Sequence, residues 1–153
     1  MSFKLDKQKF FILFFIIALA VAFFGQRYYY KDINIKIAEK NVNVLVAKSI
    51  WQQKKGLGNR DKLQKNDGML LNFSVLSRHG IVMRDMNFSI DIFWLKDGEI
   101  VDMAFHVDPE PGVEEKDLRV YYPRVVSNLV LEFPTGIIDR DKIKIGDKIE
   151  IVE

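Results

Sequence analysis

Residues 90–107, IDIFWLKDGEIVDMAFHV, contain the strongest local fold signal in the chain. Two runs rich in β-branched and aromatic residues, 90–95 and 100–106, lie on either side of the pair Asp97-Gly98. An Asp-Gly pair between such runs is typical of a tight hairpin turn, because both residues tolerate the positive φ that the turn needs. The stretch therefore predicts an antiparallel hairpin.

Further strand candidates lie on both sides of this hairpin. They are recognised by period-two alternation or by short apolar runs that turns bound, and comprise residues 33–37, 42–46, 68–73, 81–83, 120–122, 128–133 and 148–152. One short helix, SIWQQKKG, has Ser49 as N-cap, Gln52 at the capping-box position and Gly56 as its stop. Many strands and few helices predict a mainly β fold: a small curled sheet or barrel with one or two short helices.

A long apolar run lies near the N-terminus. Residues 10–24 read FFILFFIIALAVAFF, and no charged residue occurs between Lys9 and Arg27. As a helix, residues 10–26 would be about 26 Å long, close to the ~30 Å hydrocarbon core of a bilayer. The pattern predicts an uncleaved transmembrane anchor at residues 10–26. A cleaved signal peptide is the alternative, although its best cleavage motif, Ala20-Val21-Ala22, falls inside the apolar run.

The anchor divides the chain into four parts. Residues 1–9 are expected to form a cytoplasmic tail, residues 27–40 a juxtamembrane linker with the first strand, and residues 41–153 a β-rich domain outside the cytoplasm. Lysines in the short tail favour this orientation, but Arg27 and Lys31 beyond the apolar run reduce the charge difference. The expected location is the cell membrane, in a single-pass arrangement.

The composition disfavours several functional classes. Residues 1–25 hold three of the 23 basic and one of the 21 acidic side chains, which leaves 20 of each for the remainder. A neutral domain releases few counterions, so nucleic acid is not expected as a partner. The absence of cysteine excludes disulfides, thiolate catalysis and cysteine-ligated zinc. No pattern indicates a cofactor.

Polar residues inside apolar strands are the candidates for a site. Asp91 and Glu132 are each flanked by apolar residues, and Arg60 and Arg84 lie near turns. Burial of unpaired charges is costly, so these four side chains are either exposed, paired for stability, or grouped around a polar ligand. Met83 begins an aromatic and thioether-rich stretch that either packs in the core or contacts a sugar or peptide. The ligand-binding set is therefore Arg60, Met83, Arg84, Asp91 and Glu132.

Three functions are compatible with this set. The first is a non-catalytic binding module for an envelope glycan, peptide or protein. The second is an extracytoplasmic hydrolase with Asp91 and Glu132 as acid and base. The third is a structural partner subunit of a membrane complex. No catalytic residue is assigned, and His79 and His106 lack the spacing of a metal site.

Four ordered blocks of sequence resemble a known family. They are GLGNRDKL with NDGMLLNF, VMRDMNFSIDIFWLKDGEIV, YYPRVVSNLVLEFPTG and IKIGDKIEI, and the resemblance extends over about residues 42–152. The resemblance is to the envelope-associated proteins of domain of unknown function family 192. It implies one compact, mostly β domain behind a signal peptide or anchor, and it implies no reaction. Ser89 stands where such proteins commonly have proline, and the loop at 108–117 lacks their cysteines.

Overall fold

The computed structural model describes residues 6–152. A helix, α1 (Lys7–Tyr28), precedes a domain built on one seven-stranded sheet, and a second helix, α2 (Ile50–Lys55), follows the second strand. The strands are β1 (Lys31–Ile37), β2 (Lys40–Ala47), β3 (Gly68–Ser77), β4 (Ile90–Lys96), β5 (Glu99–Val107), β6 (Ser127–Pro134) and β7 (Glu150–Val152). Short 3-10 turns lie at Glu115–Asp117 and Arg140–Lys142. The mainly β class is confirmed.

The strand order is β5-β4-β6-β3-β2-β1-β7. Only the β2–β3 pair is parallel, and its crossover contains α2. The sheet curls so strongly that its two edge strands, β5 and β7, approach each other. An isolated bridge joins Glu99 of β5 to Lys148, which lies just before β7, but the two strands themselves do not pair. The expected curled sheet is therefore present, whereas the barrel alternative is wrong.

Turn chemistry determines the hairpin quoted above. Asp97 and Gly98 have φ values of 51° and 85°, and Lys96 pairs with Glu99 across the turn. The expected β4–β5 hairpin is confirmed. Two other strand predictions are wrong: residues 81–83 and 120–122 share one bridge, between Ile81 and Tyr121, and form no ladder.

Apolar side chains cover both faces of the sheet. On one face the buried cluster comprises Ile35, Ile37, Val42, Val44, Leu70, Phe93, Leu95, Ile100, Leu131, Phe133, Ile138 and Ile143. On the other face it comprises Ala47, Leu57, Met69, Leu71, Ile81, Met83, Met86, Ile90, Ile92, Trp94, Val107 and Val130. Because β4 and β6 supply residues to both clusters, every position along them is buried except near the strand ends.

The N-terminal segment departs from expectation. Helix α1 continues to Tyr28, and β1 starts at Lys31, so the expected linker is reduced to two residues between helix and sheet. No helix in the described part of the chain combines the length and apolar character needed to cross a bilayer. The predicted anchor at 10–26 is thus unsupported as a transmembrane span. Residues 1–5 of the predicted cytoplasmic tail lie outside the described residues.

Candidate functional site

Glu132 lies in the middle of the sheet. It is on β6, with Met69 of β3 opposite it on one side and Ile92 of β4 on the other. Both neighbours belong to the cluster that contains Trp94, so the Glu132 side chain enters that apolar face. Only 4% of the residue is exposed.

The Glu132 carboxyl group has no stabilising partner within residues 6–152. It makes no hydrogen bond or ion pair there, and burial raises its pKa to about 8 from 4.5. The group is therefore protonated at neutral pH, and it presents both an O–H donor and a carbonyl acceptor. A neutral buried acid without a partner is a group that a ligand can satisfy.

A cavity of about 340 Å³ lies over this carboxyl group. Its polar rim contains Gln53, Lys54, Lys55 and Arg84, and its apolar walls are formed by Ile50, Leu57, Phe73, Ile81, Val82, Met86 and Ile90. The cavity thus combines an apolar interior, a cationic rim and one neutral acid in its wall.

Gly56 brings the end of α2 close to the acid. Its φ is +50°, and a β-carbon added there would lie 3.3 Å from Oε2 of Glu132. The sequence predicts Gly56 as a helix stop, and the structure confirms this, because the Gly56 N–H caps Gln52 O. The glycine has a second role: it lets the backbone cover the carboxyl group.

Arg84 is held in a fixed position at the rim. Its guanidinium donates two hydrogen bonds to the Glu115 carboxylate and a third, of 2.9 Å, to Lys54 O. The bonds to Glu115 raise the pKa of Arg84, and those from Arg84 lower the pKa of Glu115. Arg84 consequently links the acidic loop, residues 108–117, to the end of α2.

The structure brings together two of the five predicted site residues, Arg84 and Glu132, which line the same cavity. Met83 is 1% exposed and belongs to the core. Arg60 lies at a different pocket, where its guanidinium carbon is 5.5 Å from the Tyr30 ring centroid. Asp91 lies at a third pocket. The four charged residues therefore do not form one cluster.

Asp91 is buried for structural reasons. It is 2% exposed, and its carboxylate accepts hydrogen bonds from His106 N at 2.9 Å, Thr135 Oγ1 at 3.3 Å and Gly136 N at 3.3 Å. These bonds join β4 to β5 and to the turn after β6. Solvent exposure, one of the sequence alternatives for Asp91, is wrong.

The strand register separates the two carboxylates. Asp91 pairs with Phe133, and Glu132 pairs with Ile92, so the acids are one residue out of register. Side chains of successive residues point to opposite faces of a sheet, which places Asp91 and Glu132 on opposite faces. They cannot flank one bond, and the hydrolase alternative that pairs them loses its geometric basis.

Several residues at this cavity have no feature in the sequence that indicates a site. Lys54 and Lys55 were assigned only to a helix, and Glu115 only to an acidic loop. The sequence shows only that Gly56 follows two lysines at the end of the helix. Which side chain it meets depends on long-range register. Among residues 6–152, no group of three or more His, Asp or Glu residues is arranged to hold a metal ion.

The comparisons with known proteins identify a family but no reaction. One solved structure, from Sinorhizobium meliloti and described as a proposed transcription regulator, matches with a TM-score of 0.67 and 21% identity, over 81% of this chain and 95% of that one. Another, a protein of unknown function from Novosphingobium aromaticivorans, matches with a TM-score of 0.64 and 22% identity, over 79% and 84%. These likenesses concern the fold alone. No curated protein matches.

The family model covers most of the β domain. The model of DUF192, described as "Uncharacterized ACR", matches residues 32–151. This range begins just inside β1 and ends in β7, so it includes all of the sheet except its first and last residues. The resemblance noted in the sequence is confirmed, and the chain belongs to domain of unknown function family 192.

Proposed function

We propose that the sheet domain is a non-catalytic binding module whose ligand enters the cavity over Glu132. One observation carries the proposal: a buried, neutral carboxyl group without a partner in the described chain borders a cavity of about 340 Å³. A buried carboxyl group without a hydrogen-bond partner destabilises the folded state. A bound ligand that accepts its O–H would remove that cost.

The lining favours one ligand class among those compatible with the sequence. A glycan needs several polar partners, whereas most of the wall is apolar, with Phe73, Met86 and Ile90 among its residues. A peptide with an apolar side chain and a backbone carbonyl fits better, because the carbonyl can accept from Glu132. The cationic rim at Lys54, Lys55 and Arg84 would attract an anionic group on the same ligand.

We propose further that α1 attaches this domain to a membrane. Large apolar side chains are exposed along the helix, between 49% and 68% for Phe10 through Ile17, with Leu19, Val21 and Phe24 also above half. Exposure around a whole helix leaves no polar side for water. Lipid would cover this surface at low cost. The location outside the cytoplasm stays a prediction from the sequence.

The binding proposal is tested by NMR of methyl groups. The full-length protein in detergent is titrated with N-acetylated tripeptides that have apolar side chains and a free carboxylate, and in parallel with short envelope glycan fragments. We expect shifts at Ile81, Met86 and Ile90 with peptides, and none at Ile35 or Ile138 on the opposite face.

A substitution makes this test specific. Glu132→Leu removes the O–H donor and should weaken peptide binding about tenfold, the equivalent of one hydrogen bond. Asp91→Asn, on the other face, serves as the control and should leave affinity unchanged. If no probe shifts the cavity methyls, or if the methyls of the opposite face respond instead, the proposed site is wrong.

A further inference from the structure

An ordinary surface helix turns its apolar residues toward the core and its polar residues toward water, whereas helix α2 has the opposite arrangement. Its amide residues face inward: Gln52 is 7% exposed, and its Nε2 donates to Tyr29 O at 2.8 Å. The Gln53 amide donates to Asn72 O at 2.5 Å and to Lys48 O at 3.3 Å. Its two large apolar residues face outward, since Ile50 is 80% exposed and Trp51 is 60% exposed.

The outward face of α2 is both apolar and cationic. Lys54 and Lys55 follow Ile50 and Trp51 at a spacing of four residues, which places each lysine above an apolar residue on the same side of the helix. Both lysines are exposed, and the helix contains no acidic residue. Leaving a tryptophan and an isoleucine in water costs free energy. Tryptophan with nearby lysine is typical of a surface that lies at a membrane interface.

The position of α2 agrees with such a role. The Gln52–Tyr29 hydrogen bond joins α2 to the residue directly after α1, and Tyr29 is 76% exposed. In the β1–β2 hairpin, Lys31 pairs with Val46, so α1 enters and α2 leaves at the same end of that hairpin. A membrane that holds α1 is therefore close to the outward face of α2.

We propose that the face of α2 formed by Ile50, Trp51, Lys54 and Lys55 docks on the surface of a bilayer that contains anionic lipids. This inference rests on the proposed attachment through α1 and specifies how the domain is oriented on the membrane. Ile50 and Trp51 enter the headgroup region, and the two lysines contact anionic headgroups.

Docking would also orient the cavity over Glu132. Ile50, Gln53, Lys54 and Lys55 belong both to α2 and to the cavity lining. With α2 on the bilayer, the mouth of the cavity lies at the headgroup level. The ligand would then be a membrane-attached chain, such as the part of a peptide that emerges from the lipid.

Tryptophan fluorescence provides a direct test, because the chain has two tryptophans in different environments. Trp51 is exposed, and Trp94 is 2% exposed in the core. The full-length protein is reconstituted into vesicles of phosphatidylcholine with 30% phosphatidylglycerol, with or without bromine on the acyl chains near the headgroups. We expect brominated lipid to quench about half of the emission of the native protein and almost none of that of Trp51→Phe.

A second set of variants tests whether the two lysines contribute to docking. The double variant Lys54→Gln/Lys55→Gln should lose at least half of this quenching in the anionic vesicles and change little in pure phosphatidylcholine. The matched control is Lys144→Gln/Lys148→Gln. These exposed lysines share a pocket with Ala38, at the far end of the β1–β2 hairpin and about 20 Å from α2.

The outcomes separate this inference from the attachment itself. If the protein floats with the vesicles but Trp51 is quenched by aqueous acrylamide and not by brominated lipid, α2 does not dock and attachment through α1 stands. If the protein fails to float with either vesicle type, attachment is wrong and the docking inference falls with it.

Discussion

Glu132 is the residue on which the proposed function depends. Its burial between Met69 and Ile92 would stabilise an apolar side chain, but for a carboxyl group it strongly opposes ionisation. Gly56 covers the group without supplying a hydrogen bond to it. Asp102 shows the contrasting arrangement. Burial raises its pKa, but hydrogen bonds from Arg124, including one of 2.6 Å from Nη2, outweigh that effect and lower the pKa.

The raised pKa of Glu132 predicts a specific dependence of stability on pH. The unfolded group ionises near 4.5 and the folded group near 8, so between these values the folded state holds one proton more. The free energy of unfolding should then fall as pH rises, with a slope approaching about 1.4 kcal/mol per pH unit. Its contribution is complete below pH 4.5 and lost above pH 8.

Substitution isolates this contribution from the other titrating groups. Glutamine does not titrate, so Glu132→Gln should lack this loss of stability. Between pH 5 and pH 8, the free energy of unfolding of the variant should rise by several kcal/mol relative to that of the native protein. Chemical unfolding in mild detergent at a series of pH values measures it. Glu150→Gln, at an exposed position, is the control. A difference that stays constant with pH would mean that Glu132 ionises normally and has a partner.

At the scale of elements, local side-chain hydrogen bonds define where α2 begins. The Ser49 hydroxyl accepts from Gln52 N at 3.3 Å, and Gln52 Oε1 accepts from Ser49 N at 3.1 Å, which completes the capping box. A helix of six residues cannot form without such caps and tertiary contacts. The same helix forms one side of the cavity.

Removal of the cap should therefore affect both stability and the site. We expect Ser49→Ala to lower the free energy of unfolding by about 1 kcal/mol and to shift the resonances of Leu57 and Ile81 in the cavity wall. Ser74→Ala, at an exposed position on β3, controls for loss of a hydroxyl. Equal stability of the two variants would show that the contacts of Gln52 hold α2 without the hydroxyl.

The sequence predicts a turn or a helix cap well, because neighbouring residues alone determine it. The Asp97-Gly98 turn and the Ser49 cap depend only on neighbouring residues, and both are confirmed. The stretch 81–83 failed because burial at alternate positions does not require a ladder: Ile81 and Met83 are buried as a segment that packs over the sheet. Its backbone forms a single bridge, from Ile81 to Tyr121, and whether a segment finds a full partner strand is a long-range property.

The candidate site was only partly predictable for a related reason. Period-two reasoning assumes that one face of a strand is solvated, but apolar clusters cover β4 and β6 on both faces. Alternation could therefore not tell whether Asp91 or Glu132 was buried, or that they point to opposite faces. That depends on the pairing of Asp91 with Phe133, which only the assembled sheet defines.

For the whole molecule, net charge and exposed apolar surface both bear on the proposed membrane attachment. The domain beyond residue 25 is neutral, so electrostatics alone would not hold it at any surface. The longest run of exposed apolar side chains lies on α1, and Ile50 and Trp51 of α2 are exposed as well. Other exposed apolar side chains, such as Val75, lie on the sheet domain. The exposed run on α1 is therefore the feature of the whole molecule that supports the proposed membrane attachment.

The predicted orientation places the sheet domain outside the cytoplasm, and the acidic loop permits a direct measurement. Lys116 lies in that loop with 75% of its side chain exposed, so trypsin can reach it. In cells with opened outer layers and a sealed plasma membrane, we expect trypsin to cleave the chain at this loop, because the membrane does not shield an outer domain. Lys116→Gln/Arg119→Gln, which also removes the exposed basic residue three positions further on, should remove that fragment, and a cytoplasmic protein should stay intact. Cleavage that requires permeabilisation of the plasma membrane would place the domain in the cytoplasm. The positive charges of Arg27 and Lys31 would then have determined the orientation.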